Sequence, residues 1–343
     1  MYDIVIATMN SNEIDINEWI IHNLLIGFQH IFIYDDGSNP PINITIDLLD
    51  IKYKNCVTIY RLDSHYEYNK AIYKKEETLN LLYFDEDIYN KHKSNKQRYL
   101  MNYFLKSHKN ISKYCFFCDI DEFIYLRDDD NINNYLSKMS SYDIINIPWL
   151  YYGTSFYIDK PKGLLIDNFR CHAKKYDVGK CIVNMSKIDE ITCIHTITNN
   201  KKLSIMVYDR NAPLFTIPIH INHYITKSYK SVLKKKKEHC LGQTNDFYRS
   251  VAHILGFGIG AGGLNEITNN NIMKKYVGKI NEILNYELND QHIDFSNYSK
   301  GLVQLNGDLL TFEYIIKNAS IELIETIIKS NNIRYLKNDE VSL

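Results

Sequence analysis

Proline is scarce, with 6 in 343 residues, and glycine stops at 14, which excludes collagen-like and low-complexity classes. No apolar run approaches the roughly 18 residues that a bilayer-spanning helix requires. The N-terminus, Met1-Tyr2-Asp3-Ile4-Val5, has neither a basic n-region nor a cleavage site, so no secretory signal is visible. Charge of one sign is lacking too. The 40 Lys and Arg face 41 Asp and Glu, a formal net charge of −1, whereas a nucleic-acid binder needs a basic footprint. The 7 cysteines are odd in number and run from Cys56 to Cys240 without framework spacing, so free thiols in a reducing compartment are the economical reading. Cys115 and Cys118 form a CxxC with no second pair, inside a segment that reads as a strand, and count as core thiols. What is present is ordinary for a folded soluble chain: 45% hydrophobic and 24% charged residues. Sequons such as Asn43-Ile44-Thr45 carry no weight without a secretory route.

The first half alternates short apolar runs with amphipathic segments. Asp3 to Thr8 reads as a buried strand from its β-branched run. Between Glu13 and Ile26 the residues Ile16, Trp19, Ile20, Asn23 and Leu24 recur at helical spacing, and Gly27 stands where a helix C-cap belongs. His30 to Tyr34 is a second strand, stopped by Asp35-Asp36-Gly37-Ser38-Asn39-Pro40-Pro41. Cys56 to Tyr60 is a third. A helix over about Lys93 to Lys106 turns Tyr99, Leu100, Tyr103 and Phe104 inward, and Tyr114 to Cys118 is a fourth strand. This alternation predicts an α/β fold with right-handed crossovers and a mostly parallel sheet. Ligands of such sheets bind beyond the carboxyl ends of the strands, where Asn10 to Glu13, Asp35-Asp36 and Asp119 to Glu122 gather. Apolar runs at 144–147, 181–183, 203–207 and 214–217 predict mixed strands completing the sheet. Beyond about 275 the chain reads as helices, with Phe312, Ile315, Ile316 and then Ile321, Leu323, Ile324, Ile327, Ile328 as two apolar faces.

Asp119-Ile120-Asp121 is the central feature. Two carboxylates around one aliphatic residue point to the same side of an extended segment, and paired anionic oxygens suit Mg²⁺ or Mn²⁺, which also take phosphate oxygens. A DxD alone is a weak signal that solvated turns also produce. Its place directly after Cys115-Phe116-Phe117-Cys118 puts it at the sheet's ligand edge.

Asn12-Glu13, Glu18-Trp19, Leu25 to Ser38, and Asp119-Ile120-Asp121-Glu122-Phe123 occur in that order. Ile147-Pro148-Trp149 with Tyr152-Gly153-Thr154-Ser155 comes next, then His220-Ile221-Asn222-His223-Tyr224 with Lys227-Ser228. The series resembles the family 92 glycosyltransferases and their bacterial family-2-like relatives over about residues 3–245. The resemblance implies a GT-A fold, a nucleotide-sugar-binding sheet with a DxD-held metal. It implies that Asp119 faces ribose and metal, that Asp121 is the direct metal ligand, and that His223, or else His220, is a later ligand. It also implies that Lys227 reaches the diphosphate and that Asp35 accepts a hydrogen bond from the base. Thr8, Asn10 and Glu13 would line the nucleotide pocket, and Gln97 and Arg98 would touch the nucleotide. For the catalytic base, Asp246 and Glu122 stand as alternatives. Lys180 and His195 sit in matched segments without an assigned role.

Two departures from the family pattern touch phosphate contacts and acceptor handling: Ser11 replaces a basic residue before Asn12-Glu13, and Leu241-Gly242 stands where Arg-Gly is usual. Trp149 reads as core, and Lys234 to Lys237 as a solvated helix face. Gly256 to Gly263 formally fits a dinucleotide fingerprint but comes too late in the chain and reads as a mobile loop. The expected organisation is a GT-A domain over 1–250, a Gly-rich mobile loop over 251–275 and a helical extension over 276–343. The expected activity is Mn²⁺- or Mg²⁺-dependent transfer from a UDP-sugar to a glycan or glycoside hydroxyl, with inversion. Alternatives are a decayed transferase that only binds nucleotide sugar or carbohydrate, and a metal-dependent nucleotide-diphosphate hydrolase. No nucleic-acid or membrane partner is expected. The location is expected to be cytosolic, in a viral or bacterial setting that includes host cytoplasm or virion.

Overall fold

The computed structural model describes residues 1–62, 96–155, 157, 159–195, 203–207, 212–228, 230–231 and 272–286, with the backbone of 304–305 and 308–309. The strands are β1 Tyr2–Asn10, β2 His30–Asp36, β3 Val57–Leu62, β4 Ser112–Phe117, β5 Glu122–Leu126, β6 Ile144–Tyr151, β7 Asp177–Asn184, β8 Ser204–Met206, β9 Ile219–His223, β10 Gln304–Leu305 and β11 Asp308–Leu309. The helices are α1 Ile16–Leu25, α2 Ile42–Ile46, α3 Ile51–Lys54, α4 Lys96–Ser107, α5 Ile132–Lys138, α6 Leu165–Asn168 and α7 Lys274–Leu284. Among the described residues, nine strands form one mixed sheet in the order β3-β2-β1-β4-β7-β6-β9-β5, with β8 on β6. β3, β2, β1 and β4 run parallel, and β7 joins β4 antiparallel. This is the expected α/β architecture.

The chain divides into two compact units, 1–149 with 178–221, and 150–177 with 222–343. In the first, both faces of the central strands are buried, as a parallel sheet between helices requires. Val5, Ala7, Phe32, Tyr34, Cys115 and Phe117 pack with Leu100, Met101, Phe104 and Leu105 of α4. Ile4, Ile6, Ile31, Ile33 and Phe116, which alternate with them, are equally buried. Helix α1 ends in a Schellman-type cap: Phe28 N donates to Asn23 O at 3.1 Å and Gly27 has φ +105°. A Cβ at Gly27 would also meet the Asn131 amide at 2.5 Å, so glycine answers two demands there.

Two elements depart from the sequence reading. The run 214–217 is a turn, with Thr216 N and Oγ1 both donating to Pro213 O. Pro213 and Pro218 bracket it, and the strand starts only at Ile219. Beyond 275 the helix α7 is followed by the antiparallel pair β10–β11, Gln304 opposite Leu309. Asn306-Gly307 between them is a two-residue hairpin sequence that an all-helical reading overlooks. The glycine run 256–263, Lys234 to Lys237, Cys240 and the apolar faces from Phe312 to Ile328 lie outside the described residues.

In the second unit, Tyr152 bridges His172, and Ser155 Oγ accepts from the backbone N–H groups of Arg170 and Cys171 at 2.8 Å each. Arg170 pairs with Asp167 at 2.5 Å. Among the described residues no helix is long and apolar enough to cross a membrane.

Candidate active site

Strand register sets the site. In the parallel ladder Asn10 lies beside Asp35 and Asp35 beside Arg61, and β4 runs alongside β1 to end at Phe117. The three polar clusters anticipated at one edge are therefore at one edge, the carboxyl edge, where α/β sheets bind ligands.

Cys118 to Asp121 form the link between β4 and β5. The link is a turn, not the extended segment anticipated: Glu122 N donates back to Asp119 O at 3.2 Å. Helix α1 holds this turn from behind. Trp19 Nε1 donates to Glu122 O at 2.9 Å, and His22 Nε2 meets Ile124 O at 2.8 Å, since residues three apart share one helix face. From the β1 side, Thr8 Oγ1 donates to Cys118 O at 2.7 Å. Thr8 thus fastens two strand ends together.

Asp119 is partly exposed and held by protein groups at both carboxylate oxygens. Gln97 Nε2, from the first turn of α4, donates to Oδ1. Lys180 Nζ, from β7, lies 2.9 Å from Oδ2; the contact is an ion pair more than an aligned hydrogen bond. Lys180 is wholly buried, lies 3.8 Å from Glu122 Oε1, and sits over the Trp149 ring at 5.5 Å. His195 meets the same ring edge-on at 5.0 Å. Burial works against the Lys180 charge, but Glu122 and Asp119 outweigh it and move its pKa upward. Asp121 is buried close to the surface, 8% exposed.

Glu122 does not fit the role of catalytic base. It has no exposed surface, and Oε2 accepts from Asp119 N at 3.0 Å beneath the turn. Its carboxyl is pushed well above the usual carboxylate range by burial first, against the pull of Lys180, with the Asp119 and Asp121 charges adding. A group without surface cannot reach an acceptor hydroxyl. Asp246, the other candidate base, lies outside the described residues.

Asp35 is also committed internally. It is wholly buried, its Oδ1 accepts from Asn10 Nδ2 at 3.1 Å, and its Oδ2 accepts from Arg61 at 2.5 Å and Ile42 N at 3.3 Å. Arg61 also donates to Ser38 O at 2.9 Å, and Ser38 Oγ accepts from Asn10 Nδ2 at 2.7 Å. These bonds pin the 36–42 loop against β1 and take up three of the roughly four lone-pair sites of the Asp35 carboxylate. Asn10 Oδ1, by contrast, is a buried acceptor with no donor among the described residues.

Gln97 is therefore brought to the acid turn, while its neighbour Arg98 turns to Thr192 O at 3.4 Å. Glu13 accepts from the adjacent Ile14 N at 3.1 Å. His220 lies in the first unit, wholly buried between Tyr125 at 5.0 Å and Phe215 at 5.7 Å. His223 and Lys227 belong to the second unit. There the His223 ring lies 5.3 Å from that of Tyr151, and Lys227 is buried with φ 50°.

Among the described residues no three His, Cys, Asp or Glu side chains come together as a metal cluster. The oxygen-only pair Asp119 and Asp121 fits a hard divalent cation that completes its shell from phosphate and water, as Mg²⁺ does. It does not fit a closed all-protein site.

Lys180 and His195 are the participants that sequence reasoning left without a role, and Trp149, read as core, is the ring that both of them meet. Lys180 did carry a sign of its importance, being a lone cation inside the apolar strand run Gly179-Lys180-Cys181-Ile182-Val183, where an unpaired lysine is not tolerated.

The model of Glycosyltransferase family 92 matches residues 6–250. No curated protein matches the chain significantly. Solved structures with some likeness include the galactosyltransferase LgtC in complex with donor and acceptor sugar analogues, at 9% identity and a TM-score of 0.29 over 64% of this chain and 87% of that one. The apo form of mouse xyloside xylosyltransferase 1 is 8% identical, with a TM-score of 0.20 over 54% of this chain and 67% of that one. Likenesses this loose say nothing about substrate or mechanism.

Proposed function

The chain belongs to glycosyltransferase family 92 and is a glycosyltransferase, and from that premise we propose that it moves a sugar from a UDP-sugar to a glycan or glycoside hydroxyl, with inversion and with a divalent cation. The observation that carries this reading is the Asp119–Asp121 turn at the carboxyl edge of parallel strands, one carboxylate clamped by Gln97 and Lys180. Asp121, with Asp119, would hold the cation. When bound, Mn²⁺ or Mg²⁺ supplies Lewis acidity to the diphosphate leaving group.

The chain's own residues do the rest. Gln97 and Lys180 keep Asp119 in one rotamer, so the pair is set before substrate arrives. Asn10, hydrogen-bonded to Asp35, is assigned with it to the nucleotide pocket on the strength of the family pattern. Asp246 takes the proton from the acceptor hydroxyl as its oxygen bonds to the anomeric carbon and the bond to the diphosphate breaks on the opposite face.

Incubation with UDP-sugars and Mn²⁺, without acceptor, should release UDP and free sugar. Asp121→Ala should lower that rate by roughly a hundredfold or more with an unchanged melting temperature. If calorimetry finds no binding of any UDP-sugar in the presence of Mn²⁺, the proposal fails. Release of sugar phosphate would instead identify the hydrolase.

A further inference from the structure

A lysine with no exposed surface is rare unless paired, and Lys180 is paired in an uncommon place. Its Nζ lies 2.9 Å from Asp119 Oδ2 and 3.8 Å from Glu122 Oε1, with the Trp149 ring on its other side at 5.5 Å. The second oxygen of Asp119 is taken by Gln97. The first acid of the pair is thus occupied at both oxygens by protein donors. No third protein ligand joins the pair among the described residues, so the protein alone offers a divalent cation a poor shell. Gly179 admits no side chain against β6, which holds the next residue, Lys180, at a fixed depth in the sheet.

We propose that Lys180 is a positioning residue that makes cation binding conditional on the nucleotide. It acts as a built-in counter-ion to Asp119, so the divalent cation enters with the nucleotide diphosphate, whose phosphate oxygens complete the shell, and not ahead of it. This rests on the proposed metal dependence of the transfer. A lysine needed only for packing makes a different prediction: its loss would loosen the carboxylates and weaken cation binding under every condition.

The test counts free Mn²⁺ by electron paramagnetic resonance, with and without saturating UDP, alongside thermal melts. Wild type should bind Mn²⁺ weakly alone and at least about tenfold more tightly with UDP. Lys180→Met removes one unit charge beside a carboxylate and should tighten nucleotide-free Mn²⁺ binding by about tenfold, shrinking the UDP effect to match. A folded Lys180→Met protein whose nucleotide-free affinity is unchanged or lower overturns the proposal. Should Lys180→Met fail to fold, Lys180→Gln, which keeps a donor toward Asp119 without the charge, decides by the same readout, and a wild type that binds Mn²⁺ as tightly without UDP as with it overturns the proposal on its own. Failure of the underlying metal dependence looks different. If neither wild type nor variant takes up Mn²⁺ with UDP, metal dependence falls and this inference with it. If only Lys180→Met binds, Lys180 excludes the cation with or without nucleotide, and this inference falls as well.

Discussion

Gly179→Ala tests the packing that presents Lys180. A Cβ at this position would lie 1.9 Å from Ile147 O, 2.8 Å from Pro148 C and 2.9 Å from Trp149 N. All three are backbone atoms of β6, so no rotamer change relieves the clash. Restoring a normal carbon-to-oxygen approach of about 3.3 Å means parting β7 from β6 by about 1.4 Å. Overpacking of that kind costs about 1–3 kcal/mol, and two stretched ladder hydrogen bonds add about 1 kcal/mol each. The sum is about 3–5 kcal/mol, or a fall in melting temperature of about 6–20 °C for a domain of this class. Gly37→Ala is the internal control: its Cβ meets nothing within 4 Å, and its φ of +66° is the sole cost, about 1 kcal/mol. Thermal melts followed by circular dichroism, with denaturant titrations, would read both. A Gly179→Ala midpoint within about 2 °C of wild type would refute the close strand approach and, with it, the fixed depth of Lys180.

Arg61→Met leaves the Asp35 carboxylate buried with only Asn10 and Ile42 N as partners, and should cost about 3–5 kcal/mol in denaturant titration, most of it recovered by Asp35→Asn in the same chain. The wholly buried His172 is pushed down to about 4 by burial, against a hydrogen bond to Ala173 O. Its folded pKa therefore lies below its unfolded one. The stability it contributes is full above pH about 6.5 and is lost as pH falls toward 4, about 3 kcal/mol in all. His172→Gln should flatten that stretch of the stability–pH profile. It should spare the shallower slope of the same sign from His30 and His108, both lowered by burial.

The fold was legible where hydrophobic period and punctuation agree. Asp3 to Thr8, His30 to Tyr34 and Tyr114 to Cys118 are apolar on both faces because helices cover both, and β1, β2 and β4 coincide with them. Gly27 ended α1 as its position suggested, because φ +105° there suits little else. The misreadings have local causes. Leu214 to Ile217 has the composition of a strand, but the prolines at both ends favour a turn, and the Asn306-Gly307 dipeptide was outweighed by the helical periodicity around it.

The site was legible as a location and only partly as a set of roles. A carboxylate at a strand end looks the same in sequence whether it faces a ligand or an arginine, and the register that sets Asp35 beside Arg61 exists only once β2 and β3 pair. Glu122 shows the same ambiguity one turn from the surface. Adjacent to Asp121, it looks available to substrate, yet the turn carries Asp121 toward the edge while β5 takes Glu122 under the sheet against Lys180. Lys180 was conspicuous as a cation in an apolar strand, but its partners come from the distant β4–β5 turn and depend on β7 pairing antiparallel with β4. That pairing decides the electrostatics of the site. Moving β7 by one residue would turn Lys180 to the opposite face and leave Asp119 facing Glu122 and Asp121 without a buried counter-charge. The chemistry proposed for the acid pair therefore depends as much on a strand register as on the two aspartates.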